Sequence, residues 1–251
     1  MDPAGKLAVV TGGNSGLGRA TAGALLASGA EVVSLDLAGS PPEGARMIAC
    51  DVGDWQAVQA AAAQVAGPVH LLVNCAGIGG LGPIATPEGP GDIDAFRRVV
   101  EVNLLGAAYV TAAIAPKMIA AEPDGPDGER GVIVNACSIA SFEGQEGMGA
   151  YTAAKAGLAG LVLVWARDLS RHHIRVCGVA PGFMATPMVA GVPEPVVTEL
   201  LRNAEFPRRP GRADEFAAVV EFIVRTPLIN GEVIRLDAGT RPPARSSFGA
   251  N

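Results

Sequence analysis

The chain has little of what several protein classes require. It holds three histidines and four cysteines. His172 and His173 are adjacent with no third ligand spaced nearby, and Cys50, Cys75, Cys137 and Cys177 show no C-x-x-C spacing, so no metal centre is expected. Three of the cysteines lie near the ends of apolar runs, where a thiol behaves as a small hydrophobe, which fits a reducing, cytoplasmic setting. Cation blocks are missing too. Nineteen Lys and Arg are scattered among 25 Asp and Glu, for a formal charge of −6, which argues against nucleic acid or an anionic membrane and leaves a small molecule as the expected partner. The longest apolar run, 156–166, falls short of the roughly 18 residues a membrane span needs. The opening MDPAGKLAVVTGG has no basic region followed by a long apolar stretch, so no export signal is expected. No internal repeat is visible. These features lead us to expect one domain over 1–239 and an extended tail over 240–251.

What is present alternates. Seven apolar, β-branched runs (LAVV, EVVSLDL, ARMIACDV, VHLLVN, GVIVNAC, HHIRVCGVA and GEVIRLDAG) are separated by stretches of helical spacing. That alternation predicts an α/β chain with a Rossmann-like, doubly wound, seven-stranded parallel sheet and helices on both faces. The first run enters TGGNSGLG, residues 11–18, and then RATAGALLASG, giving strand, glycine turn and helix. Small residues such as Gly12 and Gly18 let backbone approach a pyrophosphate, and the helix N-terminus favours the anion. Asp36 ends the second run, eighteen residues after Gly18. An acid there accepts from the adenosine ribose 2′-OH and repels a 2′-phosphate, favouring NAD over NADP; the plainer reading is a solvated strand-end acid. Asp51 could meet the adenine amino group or cap the helix DWQAVQAAAAQVAG. Asn74, Cys75, Ala76 and Gly77 follow the fourth run, where the strand order should switch, and are expected to line the cofactor crevice.

Residues 78–92 are too rich in Gly and Pro for regular structure and read as a surface loop beside the site. DAFRRVVEVNLLGAAYVTAAIAPKMIA reads as one long helix with Asn103 inside it, where an Asn is mildly unfavourable unless its side chain has a role. Residues 183–203 read as a mobile element covering the substrate.

The segment 138–155, SIASFEGQEGMGAYTAAK, carries the chemistry. The chain has only two tyrosines, and Tyr151 stands at a helix start after a Gly-rich loop with Lys155 one turn on. Residues four apart share a helix face, and a fixed ammonium favours the phenolate over the phenol. Ser138, just past the fifth strand, could hold the oxygen that Tyr151 protonates or deprotonates. Tyr and Lys also meet at this spacing by chance.

Together TGGNSGLG, NCAG and S…YTAAK resemble the short-chain dehydrogenase/reductase family over almost the whole chain. The resemblance implies Tyr151 as general acid/base, Lys155 binding the nicotinamide ribose and acidifying Tyr151, Ser138 orienting substrate oxygen, and Asn103 holding a water for proton relay. It places Thr186 at the carboxamide, beside Pro181 and Gly182 of the sixth strand end. Within the family, RGVIVNACSIASFEGQEG, ARDLS and LINGEVIRLDAG look like the type-2 3-hydroxyacyl-CoA dehydrogenases. That likeness implies NAD contacts from Ser15, Leu17, Asp36, Asp51, Val52, Cys75 and Met184, a substrate contact from Gln145, and a homotetramer. A steroid or simple secondary-alcohol dehydrogenase is the alternative enzyme, and a dinucleotide-binding scaffold subunit the alternative of another class.

Overall fold

A computed structural model describes residues 1–244, apart from the side chain of Val196. The strands are β1 (Leu7–Thr11), β2 (Glu31–Asp36), β3 (Arg46–Ala49), β4 (Leu71–Asn74), a short pair β5 (Ala85–Thr86) and β6 (Gly89–Pro90), then β7 (Gly131–Ala136), β8 (Ile174–Pro181) and β9 (Val233–Leu236). Seven of them form one sheet in the order β3-β2-β1-β4-β7-β8-β9, with every pairing parallel. The order reverses between β1 and β4, so the carboxyl ends of these two strands flank a crevice.

Both faces of the sheet are covered, and this is why its central strands read as unbroken apolar runs. Side chains alternate across the sheet with the strand period of two. Ala8, Val10, Leu71, Val73, Val132 and Val134 pack under α1 (Gly16–Ala27) and α7 (Ala213–Arg225), against Leu25, Phe216 and Val220. Val9, Leu72 and Ile133 face the other way, toward α2 (Trp55–Gln64) and α4 (Gly106–Ile119), through Val58, Val110, Ile114 and Met118. On that side α5 (Gly149–Ser170) adds Leu158 and Val162.

Four local features differ from the sequence reading. The stretch expected to be irregular contains the antiparallel β5–β6 pair; a ladder this short needs only a tight reversal, which Gly89 permits at φ +149°. The single long helix is present over Ile93–Ile119, but a π-turn over Glu101–Leu105 interrupts its α-helical register between α3 (Ile93–Val100) and α4. Gly106 N–H donates to Glu101 O, five residues back, and the extra residue carries Asn103 inward without breaking the helix. The cap of α2 is Asp54, whose carboxylate accepts from Gln56 and Ala57 N–H, so Asp51 has no capping role. Finally, Ile93–Ile119 and Gly149–Ser170 are long and apolar enough on average to cross a membrane, with window hydropathies of 1.5 and 1.3. Counting unbroken apolar runs misses such averages. The apolar positions named above on α4 and α5 are spent covering the sheet.

Candidate active site

The carboxyl ends of β1, β2, β4, β7 and β8 open into one cavity of about 580 Å³. At its cofactor end, Thr11 ties two strand ends together, its hydroxyl accepting from Cys75 and Ala76 N–H at 3.0 Å each. Gly12 follows with φ +65°, and a Cβ there would lie 3.0 Å from the Ala76 backbone. Gly18 is tighter, since its Cβ would meet Gly12 O at 2.2 Å. Ser15 stands at the N-cap of α1, yet its side chain makes no capping hydrogen bond. The first N–H groups of α1, beside Leu17, therefore have no side-chain acceptor from this cap, and with glycine clearance around them they suit a phosphate anion.

Asp36 lies at the next strand end. Its carboxylate accepts from Asn14 N–H at 3.0 Å and Leu37 N–H at 2.8 Å, which fixes the group while leaving acceptor capacity toward the cavity. Asn14 locks the turn further, accepting from Ser34 Oγ and donating to Ala38 O. Asp51 and Val52 line the same end. Partial burial pushes the Asp51 carboxyl up, but Arg98 at 2.8 Å and Gly53 N–H overcome this and hold it below the ordinary carboxylate range. Arg98 itself lines the cavity. Nothing in its local sequence pointed to that, because the contact depends on where the α3 face falls.

Cys75, Ala76 and Gly77 form the floor as expected. Asn74 does not. Its side chain is buried and turned inward, Nδ2 donating to Thr111 Oγ1 at 3.1 Å and Asn135 Oδ1 at 2.9 Å. It stitches β4, β7 and α4 beneath the floor, because its position in the strand alternation faces the helix layer and not the crevice. The neighbouring Cys75 thiol is pushed up to about 12 by burial, against the opposing pull of Lys155.

The reactive end lies between β7 and α5. Ser138 Oγ accepts from Ala140 N–H at 3.1 Å, so its own O–H remains a donor toward the cavity it lines. Tyr151 and Lys155 leave one face of α5 as their spacing predicts, with Lys155 Nζ 5.8 Å from the Tyr151 ring centroid. Lys155 is 4% exposed and donates to Ala136 O at 2.7 Å. Asn103 Nδ2 donates to Ile78 O and Val99 O, both at 2.9 Å, and its buried Oδ1 has no hydrogen-bond partner among the described residues. Gly77 makes room for both side chains: a Cβ there would lie 2.6 Å from Asn103 Oδ1 and 3.6 Å from Lys155 Nζ.

Pro181, Gly182, Met184 and Thr186 continue the wall from β8. Beyond them a short 3-10 turn (Pro187–Val189) and α6 (Glu194–Arg202) cover the cavity, presenting Met188, Val192, Leu200 and Leu201. Gln145 lines the wall opposite, with its amide donating to Pro243 O at 3.1 Å. That contact with the tail was not foreseen. Among the described residues no three His, Cys, Asp or Glu side chains converge as a metal site; His173 instead pairs its Nδ1 with Gly128 O at 3.0 Å.

A glycine cradle, a strand-end acid and a Ser-Tyr-Lys set in one cavity define a dinucleotide-dependent oxidoreductase. The chain belongs to the short chain dehydrogenase family, whose model matches residues 6–196. It is 42% identical over 250 residues to a human 3-hydroxyacyl-CoA dehydrogenase type-2, covering 94% of this chain and 95% of that protein. It is 35% identical to an acetoacetyl-CoA reductase of Synechocystis, with 92% and 95% covered. Among solved structures, a 3-hydroxyacyl-CoA dehydrogenase type-2 from Mycobacterium avium superposes with a TM-score of 0.86 at 38% identity, covering 96% of this chain and 97% of the other.

Proposed function

We propose that this chain interconverts a 3-hydroxyacyl-CoA and a 3-ketoacyl-CoA with NAD as cofactor. The observation that carries the reading is the convergence of Ser138, Tyr151 and Lys155 on the same cavity as the glycine turn and Asp36. Both the dehydrogenase and the reductase named above act on CoA thioesters by their names, and the apolar cover from Met188, Val192, Leu200 and Leu201 suits an acyl chain. The residues present fit a dinucleotide: the Ser15 hydroxyl with the N–H groups of Leu17 and Gly18 would hold the phosphates, Asp36 the adenosine ribose and Asp51 with Val52 the adenine. Cys75, Ala76, Gly77, Pro181, Gly182, Met184 and Thr186 complete it, and the acid at position 36 disfavours a 2′-phosphate.

Bound NAD supplies the two-electron acceptor for hydride from the alcohol carbon. The chain manages the proton. Ser138 donates its O–H to the substrate oxygen, and Tyr151 takes the alcohol proton during oxidation and returns it during reduction. Lys155 brings a fixed positive charge beside the Tyr151 ring, so negative charge building on the phenol oxygen meets a buried cation. Asn103 Oδ1, without a partner among the described residues, is suited to hold a relay water. Gln145 contributes to the substrate wall. Exposed Leu163, Val164, Phe222 and Leu228 offer apolar contact for further copies in a homotetramer, and four free cysteines, three of them buried, support a reducing, cytoplasmic setting.

The test is NADH-linked reduction of a panel holding acetoacetyl-CoA, a steroid ketone and a simple ketone. Acetoacetyl-CoA should have the highest kcat/KM. Tyr151→Phe should lower kcat by about 10²- to 10⁴-fold, the range for losing a positioned acid/base, while NADH still binds. Preference for the steroid, or a Tyr151→Phe variant that keeps its turnover, would overturn the reading. Mass in solution checks the tetramer.

A further inference from the structure

The tail after β9 turns back onto the cavity. Two consecutive left-handed residues, Ala238 at φ 52° and Gly239 at φ 73°, make the reversal. The first is an alanine, for which this conformation is unfavourable, so the surroundings must hold it. They do so from two directions. On one side Ala238 O accepts from Glu205 N–H at 2.9 Å, anchoring the chain that leaves α6. On the other, Glu146 N–H donates to Ala244 O at 2.9 Å and Gln145 Nε2 to Pro243 O at 3.1 Å, anchoring the loop between Ser138 and Tyr151.

A charge cluster closes the same junction. Arg235 Nη1 donates to Glu143 Oε1 at 2.9 Å and its Nε to Asp237 Oδ2 at 2.8 Å, while its guanidinium lies 5.3 Å from the Phe142 ring centroid. Arg241 adds a second cation, 3.5 Å from Glu143 Oε1 and 3.2 Å from Asp237 Oδ2. Glu143 Oε2 is buried with no hydrogen-bond partner among the described residues. The Glu143 carboxylate therefore depends on charge compensation arriving at its other oxygen. Glu143, Asp237, Thr240 and Pro242 all line the cavity, so the cluster forms part of the wall and not a remote surface.

From this geometry we propose that the tail, through Asp237, Ala238, Thr240 and Pro242, is the size-selecting wall of the substrate site, with Arg241, which does not line the cavity, as the positioning residue that clasps the tail to Glu143 on the loop after Ser138. The inference rests on the proposed alcohol–ketone reaction but not on which carbonyl compound is used. Arg241 touches neither the reacting atoms nor the cofactor cradle. It acts by holding the tail against the loop, and releasing it widens the mouth beside Gln145 and Pro242.

The test measures kcat/KM with NADH over a size series of 3-ketoacyl-CoA thioesters, beside steroid and simple ketones, for the full-length enzyme and Arg241→Ala. The ratio of the largest to the smallest accepted substrate should rise about twofold to fivefold in Arg241→Ala, the range a partly exposed ion pair allows, through KM of the large one, with kcat on the smallest and the NADH Kd unchanged. Arg241→Lys, which keeps the charge, should restore the original ratio. Glu143→Gln, which removes the anion both arginines grip, should move the ratio in the same direction and gives a second reading should Arg241→Ala fold poorly. An unchanged ratio in the folded variants would overturn the proposal. Failure of the CoA-thioester reading looks different: the wild type would ignore the thioesters, and the ratio would be read on the ketones it does reduce.

Discussion

Replacing Gly18 by alanine tests whether the glycine turn is a steric requirement or merely a flexible connection. The added Cβ would lie 2.2 Å from Gly12 O, 2.7 Å from Gly12 C and 3.1 Å from Gly13 N. These are backbone atoms, so no side-chain rotation relieves the clash. Gly12 has little room to retreat, because its own Cβ direction already faces Ala76 at 3.0 Å and its N–H is held by Leu35 O at 2.8 Å. Relief must come from displacing the turn or the first turn of α1. Forcing a methyl into a packed site costs about 1 to 3 kcal/mol, and each 1.4 kcal/mol is about tenfold in affinity. Gly18→Ala should therefore weaken NADH binding by about tenfold to hundredfold in a fluorescence titration. Gly23→Ala, on the same helix, is the control. Nothing lies within 4 Å of its added Cβ, so the better helix former should stabilise by about 0.5 to 1 kcal/mol, raising Tm by about 1 to 4 °C, with NADH binding unchanged. If Gly18→Ala bound NADH as tightly as the wild type, the cradle argument would be wrong; if Gly23→Ala lost affinity as well, the effect would belong to the helix and not to the turn.

Other parts of the structure make separate predictions. Asp36→Asn keeps the size of the side chain but removes its charge, and the NADPH to NADH ratio of kcat/KM should rise at least about tenfold; steady-state kinetics with both cofactors checks it. Asn74→Leu leaves Asn135 Oδ1 and Thr111 Oγ1 without their donor, so urea unfolding should show a loss of about 1 to 3 kcal/mol, while KM for NADH stays near the wild-type value because Asn74 does not reach the cavity. The hydrogen bonds from Arg209, with Arg212 N–H, hold the Glu215 carboxyl down to about 2 from 4.5. A carboxyl depressed on folding contributes stability that is present above its unfolded pKa and lost as pH falls through the folded value. The urea midpoint of the wild type should therefore drop between about pH 4.5 and 2 by more than that of Glu215→Gln, and equal slopes would remove this ion pair from the account.

How far the site could be read from the sequence depended on the range of the interactions involved. The strands were legible because a sheet covered on both faces demands continuous apolar residues, and those demands are local. The Tyr151–Lys155 pair was legible because one helical turn sets it. Asn103 was half legible: a polar residue inside an apolar helix signals a task, but the π-turn that aims it leaves no mark on a 3.6-residue pattern. Asn74 misled because adjacency in sequence to Cys75 and Gly77 says nothing of which way a strand-end side chain turns. The Arg98–Asp51 and Arg241–Glu143 pairs could not be foreseen. Each joins segments 47 and 98 residues apart, and only the tertiary register brings them together. The segment 240–244, expected only as part of an extended tail, is placed by hydrogen bonds to another loop, which tail composition alone does not encode; the rest of the tail lies outside the described residues.

The site gathers polar groups that folding leaves only partly satisfied, as it also does at Asn74 Oδ1 and Asn135 Nδ2 in the sheet below, and the way it does so points to function. Buried polar groups in a folded protein are normally satisfied. Around Gly77 they are only partly so: Lys155 is a buried ammonium held by one carbonyl oxygen, and Asn103 offers a buried oxygen that no described residue meets. Gly77 brings these groups close to one another by having no side chain. An apolar core at the same place would be more stable, because burying a charge with incomplete partners carries a penalty of several kcal/mol. The fold tolerates this at the carboxyl ends of β4 and β7, where the strands below are buried among apolar residues such as Leu72, Val73, Ile133 and Val134. Incomplete hydrogen bonding there leaves donors and acceptors aimed at whatever enters the cavity, which is the condition for a site that binds and moves protons rather than one that merely packs.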